Sequence, residues 1–142
     1  MRTILLADDE DYLRDLIRVI VEDSECRVLE ASNGMDALKL VRNEHPDLVV
    51  LDWMMPAMTG IEVSLAMRQD PQTAAIPIIL LSGNDKNACI TEGRRAGVTA
   101  CMTKPFSPLE LLTRVEDILS ELRVSDNQRL PTDPTDGRPL AA

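Results

Sequence analysis

The chain has 142 residues, 44% of them hydrophobic, which suits one domain with its own core and leaves little room for a second. A formal net charge of −9 argues against nonspecific nucleic-acid binding and for basic partners. The N-terminus "MRTILLADDE" meets acids too early for a signal peptide, and no apolar run approaches the roughly 20 residues that span a bilayer.

The first apolar run, "TILLA" (Thr3–Ala7), is almost continuously apolar and predicts a strand covered on both faces. Leu13, Leu16, Ile17, Ile20 and Val21 follow at helical spacing. "RVLEA" (Arg27–Ala31) mixes Arg27 and Glu30 with apolar residues and predicts an edge strand. Ser32-Asn33-Gly34 then starts a helix carrying Met35, Leu38 and Val41. "LVVL" (Leu48–Leu51) is a third strand, ended by Asp52, and a helix is predicted from about Met58 to Gln69. "PIILL" (Pro77–Leu81) is the fourth strand. A polar helix, about Lys86 to Ala96, stops at Gly97. "TACM" (Thr99–Met102) is the fifth strand. Ser107-Pro108-Leu109-Glu110 combines a capping box with proline at the first helical position. Leu111, Leu112, Val115, Ile118 and Leu119 form the apolar face of the helix it opens.

Five strand–helix alternations predict an α/β sandwich on a five-stranded parallel sheet, over residues 1–123. Residues 124–142, with "SDNQRLPTDPTDGRPLAA", lose all periodicity and read as a disordered tail or linker. The three cysteines, Cys26, Cys89 and Cys101, show neither a CxxC pair nor a metal spacing, and read as free thiols of a reducing cytosol.

Ligands of such sheets bind beyond the carboxyl ends of the strands. Asp8, Asp9 and Glu10 lie there, with Asp52, Ser82 and the segment Thr103-Lys104-Pro105. If the first and third strands are neighbours, Asp8, Asp9 and Asp52 converge. Their mutual repulsion suits a hard divalent cation such as Mg²⁺. Lys104 adds a point charge for an anion and Ser82 a small hydroxyl. A carboxylate so placed can attack phosphorus, and phosphoryl transfer needs mainly positioning and charge neutralisation. Taken singly, Asp8 and Asp9 also read as helix caps, Asp52 as a turn residue, Ser82 as a cap and Lys104 as a solvated charge. Their conjunction at one end of successive strands favours the phosphoryl reading.

The stretches "ILLADDE", "HPDLVVLDWMMPAMTGIEV", "IPIILLSG" and "MTKPFSPLELLTRV" together resemble the receiver domain of two-component response regulators, from about Arg2 to Leu122. The resemblance implies a (βα)5, flavodoxin-like three-layer sandwich with strand order 2-1-3-4-5. It implies that Asp52 is the phosphoacceptor. Asp9, Asp52 and the backbone carbonyl of Met54 would bind Mg²⁺ directly, and Asp8 largely through water. Lys104 would contact the phosphoryl oxygens, next to a cis Lys104–Pro105 bond. Ser82 would swing toward the phosphoryl group and shift the face made by helix four, strand five and helix five. The implied donor is a phosphohistidine on a sensor histidine kinase or phosphotransfer protein, with small acyl phosphates as substitutes. Partner choice would rest on surface residues around Leu13 to Arg18. The implied output is contact with a downstream protein, by a cytoplasmic monomer or weak dimer that touches neither DNA nor membrane. The chain would be no enzyme beyond its own phosphoryl transfer and autodephosphorylation.

Two departures from the resemblance stand out. Receivers usually carry an aromatic three residues before the lysine, where this chain has Cys101; its aromatics are Tyr12, Trp53 and Phe106. "GVTAC" also lacks the acids that would pair across a dimer with Arg94, Arg95 and Arg114. Met54 and Asn84 would flank a hydrolytic water, and an apolar Met54 predicts slow to moderate autodephosphorylation. Met54, Met55 and Met58 are expected to pack the loop after Asp52, Trp53 to rim the site, and Tyr12 and His45 to face solvent. Two other functions fit parts of the pattern. The chain could be the receiver part of a longer regulator. An Asp-nucleophile phosphohydrolase would need a second Asp where Met54 stands.

Overall fold

Each apolar run forms a strand whose alternate residues enter two separate cores. A computed structural model describes residues 2–22, 26–83 and 86–128, with side chains described as far as residue 121. The elements are β1 (Arg2–Ala7), α1 (Asp11–Glu22), β2 (Cys26–Ala31), α2 (Gly34–Glu44), β3 (Leu48–Asp52), α3 (Gly60–Gln69), β4 (Ile78–Ser82), α4 (Lys86–Arg95), β5 (Ala100–Thr103) and α5 (Pro108–Gln128). The five strands are parallel and ordered β2-β1-β3-β4-β5, with β2 at the edge as its mixed sequence predicts.

Ile4, Leu6, Leu48, Val50, Ile79 and Leu81 face one side of the sheet. There they meet Ile17 and Val21 of α1 and Leu111, Val115 and Leu119 of α5. Leu5, Val49, Leu51, Ile78 and Leu80 face the other side. They meet Ala37 and Val41 of α2, Val63 and Met67 of α3, and Cys89 of α4. Coverage on both faces explains why β1, β3 and β4 carry apolar runs rather than alternating patterns. Burying one such Leu or Ile stabilises the fold by about 1.5–3 kcal/mol.

Local signals act as the sequence predicts. Asn33 accepts the Asp36 amide at 2.8 Å and caps α2. Gly97 ends the α4 segment in the left-handed region, with φ 80°. Helix α3 starts at Gly60 rather than Met58, because Thr59 and Glu62 form a reciprocal capping box there. Helix α5 corrects the expected boundary at residue 123, since it runs on to Gln128. The segment Val124–Gln128 holds no Pro or Gly, the residues that stop a helix outright, and the first that follows is Pro131. The rest of the expected tail, residues 129–142, lies outside the described residues.

The cysteine reading is also corrected. Cys89 and Cys101 are joined as a disulfide between α4 and β5. Their spacing of 12 residues signals nothing by itself. The β4–α4–β5 crossover folds α4 back over β5 and brings the two sulfurs together.

Candidate functional site

The strand registers decide which acids meet. Ala7 of β1 is level with Leu51 of β3, so the next residues, Asp8 and Asp52, leave the sheet side by side. Asp52 is level with Leu81, and Ser82 with Thr103. The carboxyl ends of β1, β3, β4 and β5 therefore share one rim.

Asp8, Asp52 and Ser82 are buried, at 1%, 6% and 4% exposure. Asp8 divides its two oxygens. One accepts the Glu10 amide at 3.0 Å in a local turn, and the other accepts from Lys104 Nζ at 3.0 Å. Lys104 Nζ also lies 3.1 Å from an Asp52 oxygen, so one ammonium bridges the two carboxylates. A cis Lys104–Pro105 bond stands beside it, as the resemblance implies. The Lys104 amide donates to the Ser82 carbonyl at 2.7 Å, which ties the end of β5 to the end of β4.

Burial raises the Asp52 carboxyl to about 6, and the neighbouring Asp8 charge adds to the effect despite the opposing pull of Lys104. Burial alone would lower the Lys104 ammonium, but the hydrogen bond it donates to Asp8 and the charge of Asp52 hold it above its ordinary value. The pocket thus carries more negative charge than one lysine neutralises. Its oxygen donors suit a hard cation. Asp8, Asp9 and Glu10 bring carboxylate oxygens within 4.8 Å of one another, with Asp9 and Glu10 exposed and able to accept a hydrated ion. Asp52 is linked to this group through Lys104.

The loop after Asp52 is pinned. The Trp53 amide donates to Leu81 at 2.9 Å, Gly60 to Trp53 at 2.8 Å, and Gly34 to Pro56 at 3.2 Å. Gly60 is required at the start of α3, because a Cβ there would lie 2.5 Å from the Asp52 carbonyl oxygen. Met55 is buried and Met58 packs on the core, as expected, while Trp53, expected to rim the site, is partly buried against the same core. Met54 does not join them. It is 69% exposed, in the loop two residues beyond the end of β3. Tyr12 and His45 are exposed, as expected. Asn84 lies outside the described residues.

Two positioning residues escape sequence reading. Arg14 of α1 donates to the Asp8 carbonyl at 2.6 Å and lies 3.4 Å from Glu30 of β2, which anchors the acidic turn. Arg68 of α3 donates to the carbonyls of Ala74, Ile76 and Gly97, stitching the approach to β4 to the exit from α4. Only an unpaired acid on an edge strand, Glu30, hinted at a cationic partner.

The chain is similar to known proteins in sequence and in fold. Residues 4–116 match the family model described as the response regulator receiver domain. The chain is 36% identical, over 89% of its length, to the phosphate regulon transcriptional regulatory protein PhoB of Pseudomonas aeruginosa, of which it covers 56%. It is 40% identical, over 87% of its length, to the alkaline phosphatase synthesis transcriptional regulatory protein PhoP of Bacillus subtilis, of which it covers 51%. It therefore spans about half the length of these curated relatives. Among solved structures, the receiver domain of the Francisella response regulator 1452 superposes with a TM-score of 0.79 at 32% identity, covering 86% of this chain and 99% of that one. The chemotaxis response regulator CheY4 of Vibrio cholerae superposes with a TM-score of 0.77 at 29% identity, covering 83% and 98%. With its matching sheet order and its acid–lysine pocket, the chain belongs to the response regulator receiver domain family of two-component systems.

Proposed function

We propose that the chain accepts a phosphoryl group on Asp52 from the phosphohistidine of a sensor histidine kinase or phosphotransfer protein. The observation that carries this reading is the single ammonium of Lys104 set 3.0 and 3.1 Å from the buried carboxylates Asp8 and Asp52. An Asp52 oxygen attacks phosphorus, the donor's N–P bond breaks, and the departing imidazole takes its proton from solvent. Asp52 needs no base, since its carboxylate is ionised above a pKa of about 6. Lys104 holds the phosphoryl oxygens by charge. Ser82, buried at the end of β4, donates its hydroxyl to the same group. Asp8, Asp9, Asp52 and the Met54 backbone carbonyl hold Mg²⁺, with exposed Glu10 beside them. When bound, Mg²⁺ neutralises charge on the transferring group.

The donor docks beside the pocket. Tyr12 and Leu16 of α1 line an apolar hollow with Lys104, Pro105 and Phe106, and Tyr12 is 66% exposed. Phosphorylation draws Ser82 inward and alters the α4–β5–α5 face, which a downstream protein reads. The chain acts in the cytoplasm as a monomer or weak dimer, without itself touching DNA. Phosphate leaves slowly to moderately, because exposed, apolar Met54 neither orients nor activates water. The same side chain argues against a phosphohydrolase, since the second acid of that chemistry has no counterpart two residues after Asp52.

Intact mass after incubation with acetyl phosphate and Mg²⁺ tests the reading. One added phosphoryl group is expected on the wild type and none on Asp52→Asn. An unmodified wild type, or a modified Asp52→Asn, would overturn it.

A further inference from the structure

Helix α4 is held to the sheet by very little apolar burial. Its buried residues among those described are Cys89 and Gly93. By contrast α1 buries Leu13, Ile17 and Val21, while α2 and α3 each bury four residues. Cys89 is therefore the only buried side chain larger than hydrogen that α4 is described as contributing, and it is fully buried. It is bonded to Cys101 of β5, with the two Cα atoms 6.0 Å apart, inside the span a disulfide requires. One turn further along α4, the absence of a side chain at Gly93 makes room for this sulfur. A Cβ there would stand 3.0 Å from Cys101 Sγ.

The same backbone also suits the two thiols. Cys101 Sγ lies 2.9 Å from the Cys89 carbonyl oxygen, which can accept an S–H once the disulfide is opened. Exposure differs between the two residues. Cys101 is partly exposed and Cys89 is not. An attacking residue with access and a sheltered resolving residue are what thiol–disulfide exchange uses.

We propose that Cys89 and Cys101 form a reversible redox site whose oxidation fastens α4 to β5. The oxidant is a low-molecular-weight disulfide. The Cys101 thiolate attacks one of its sulfurs, breaking that S–S bond and releasing one thiol. The Cys89 thiolate then displaces the second thiol, so that the Cys89–Cys101 bond forms. Two electrons and two protons pass from the chain's cysteines to the two released thiols. A dithiol reductant reverses the steps. Helix α4 lies between Ser82 and β5, the strand that Lys104 directly follows, so the fastening acts beside the pocket. Its effect on signalling rests on the phosphoacceptor reading, whereas the redox site does not.

The test uses the whole chain, treated with oxidised glutathione or with dithiothreitol. Thiols are trapped with a maleimide under denaturing conditions and counted by intact mass. The oxidised wild type is expected to carry two labels fewer than the reduced one, and Cys89→Ser and Cys101→Ser each to lose that difference. Amide hydrogen exchange across Lys86–Arg95 is expected to be at least tenfold slower in the oxidised folded chain. Equal label counts after both treatments would overturn the site, and equal exchange rates would overturn the fastening. Neither readout involves phosphate or Mg²⁺, so failure here is separate from failure of phosphoryl transfer.

Discussion

The two flanks of the pocket are built differently. On the β1–β3 flank, Asp8 and Asp52 end strands in the middle of the sheet, and the loops behind them are fixed by backbone hydrogen bonds, Arg14 and the Gly60 contact. On the β5 flank, α4 rests on one buried cysteine and the bare backbone of Gly93. The contrast teaches where rigidity is needed. Charges that position a phosphoryl group must not wander, because misplacement of about 1 Å can cost 10²-fold in rate. Under the proposed function α4 reports the event and must be able to move, and weak burial leaves it near the low end of local stability.

The largest expected effect comes from removing the charge that the β5 side lends to the carboxylates of the rigid flank. Lys104→Ala should slow phosphoryl transfer from acetyl phosphate by about 10²-fold, the usual loss when one aimed charge donor is removed. A rate within threefold of wild type, read by mass over time, would mean that Lys104 serves only to separate the two carboxylates. Arg68→Ala comes next. It leaves three carbonyls without the guanidinium, and a loss of about 2 kcal/mol is expected in urea unfolding.

Asp52→Asn should raise the stability of the metal-free fold. The folded carboxyl titrates near 6 and the ordinary one near 3.8, so the folded state binds the proton more tightly. Ionised Asp52 therefore costs nothing below about pH 4, and its cost grows as pH rises through about 6 and is fully present above it. Two pKa units correspond to nearly 3 kcal/mol, and loss of the Lys104 contact trims the expected gain to about 1–2 kcal/mol at pH 8. Denaturation at pH 8 and pH 4 checks it, since the variant's advantage must vanish at the lower pH. Mg²⁺ should shrink the pH 8 advantage by stabilising the wild type.

Much of this contrast could be read from the chain. Continuous apolar runs announced doubly covered strands, and the placement of acids at their ends announced the pocket. Asp8, Asp52, Ser82 and Lys104 do meet at one rim. What stayed hidden depends on tertiary contact. The pairing of Cys89 with Cys101 follows from how a crossover folds back, which a spacing of 12 does not encode. Arg14 and Arg68 look like surface charges until the carbonyls they reach are placed. The exposure of Met54 depends on the path of a pinned loop. The length of α5 was missed because Ser125, Asp126 and Asn127 are weak helix formers, yet weak propensity does not stop a helix already nucleated by packing.

The smallest effect, at Gly93, sharpens the comparison most when the same change is placed on each flank. Gly60→Ala puts a methyl 2.5 Å from the Asp52 carbonyl oxygen and 2.8 Å from Leu80 Cδ1. Backbone cannot step aside cheaply, so a loss of about 1–3 kcal/mol is expected. Gly93→Ala puts its methyl 3.0 Å from the Cys101 sulfur, a side-chain atom. Alanine favours a helix interior over glycine by about 1 kcal/mol, which opposes the crowding. In the reduced chain the thiol can rotate away, so stability should hold or rise by up to about 1 kcal/mol. In the oxidised chain the sulfur is tethered to Cys89, so the same substitution should be neutral or destabilising. Urea unfolding of Gly93→Ala in both redox states reads the difference directly. An identical shift in the two states would mean that α4 yields as a whole, and that the disulfide holds it no more tightly than packing does.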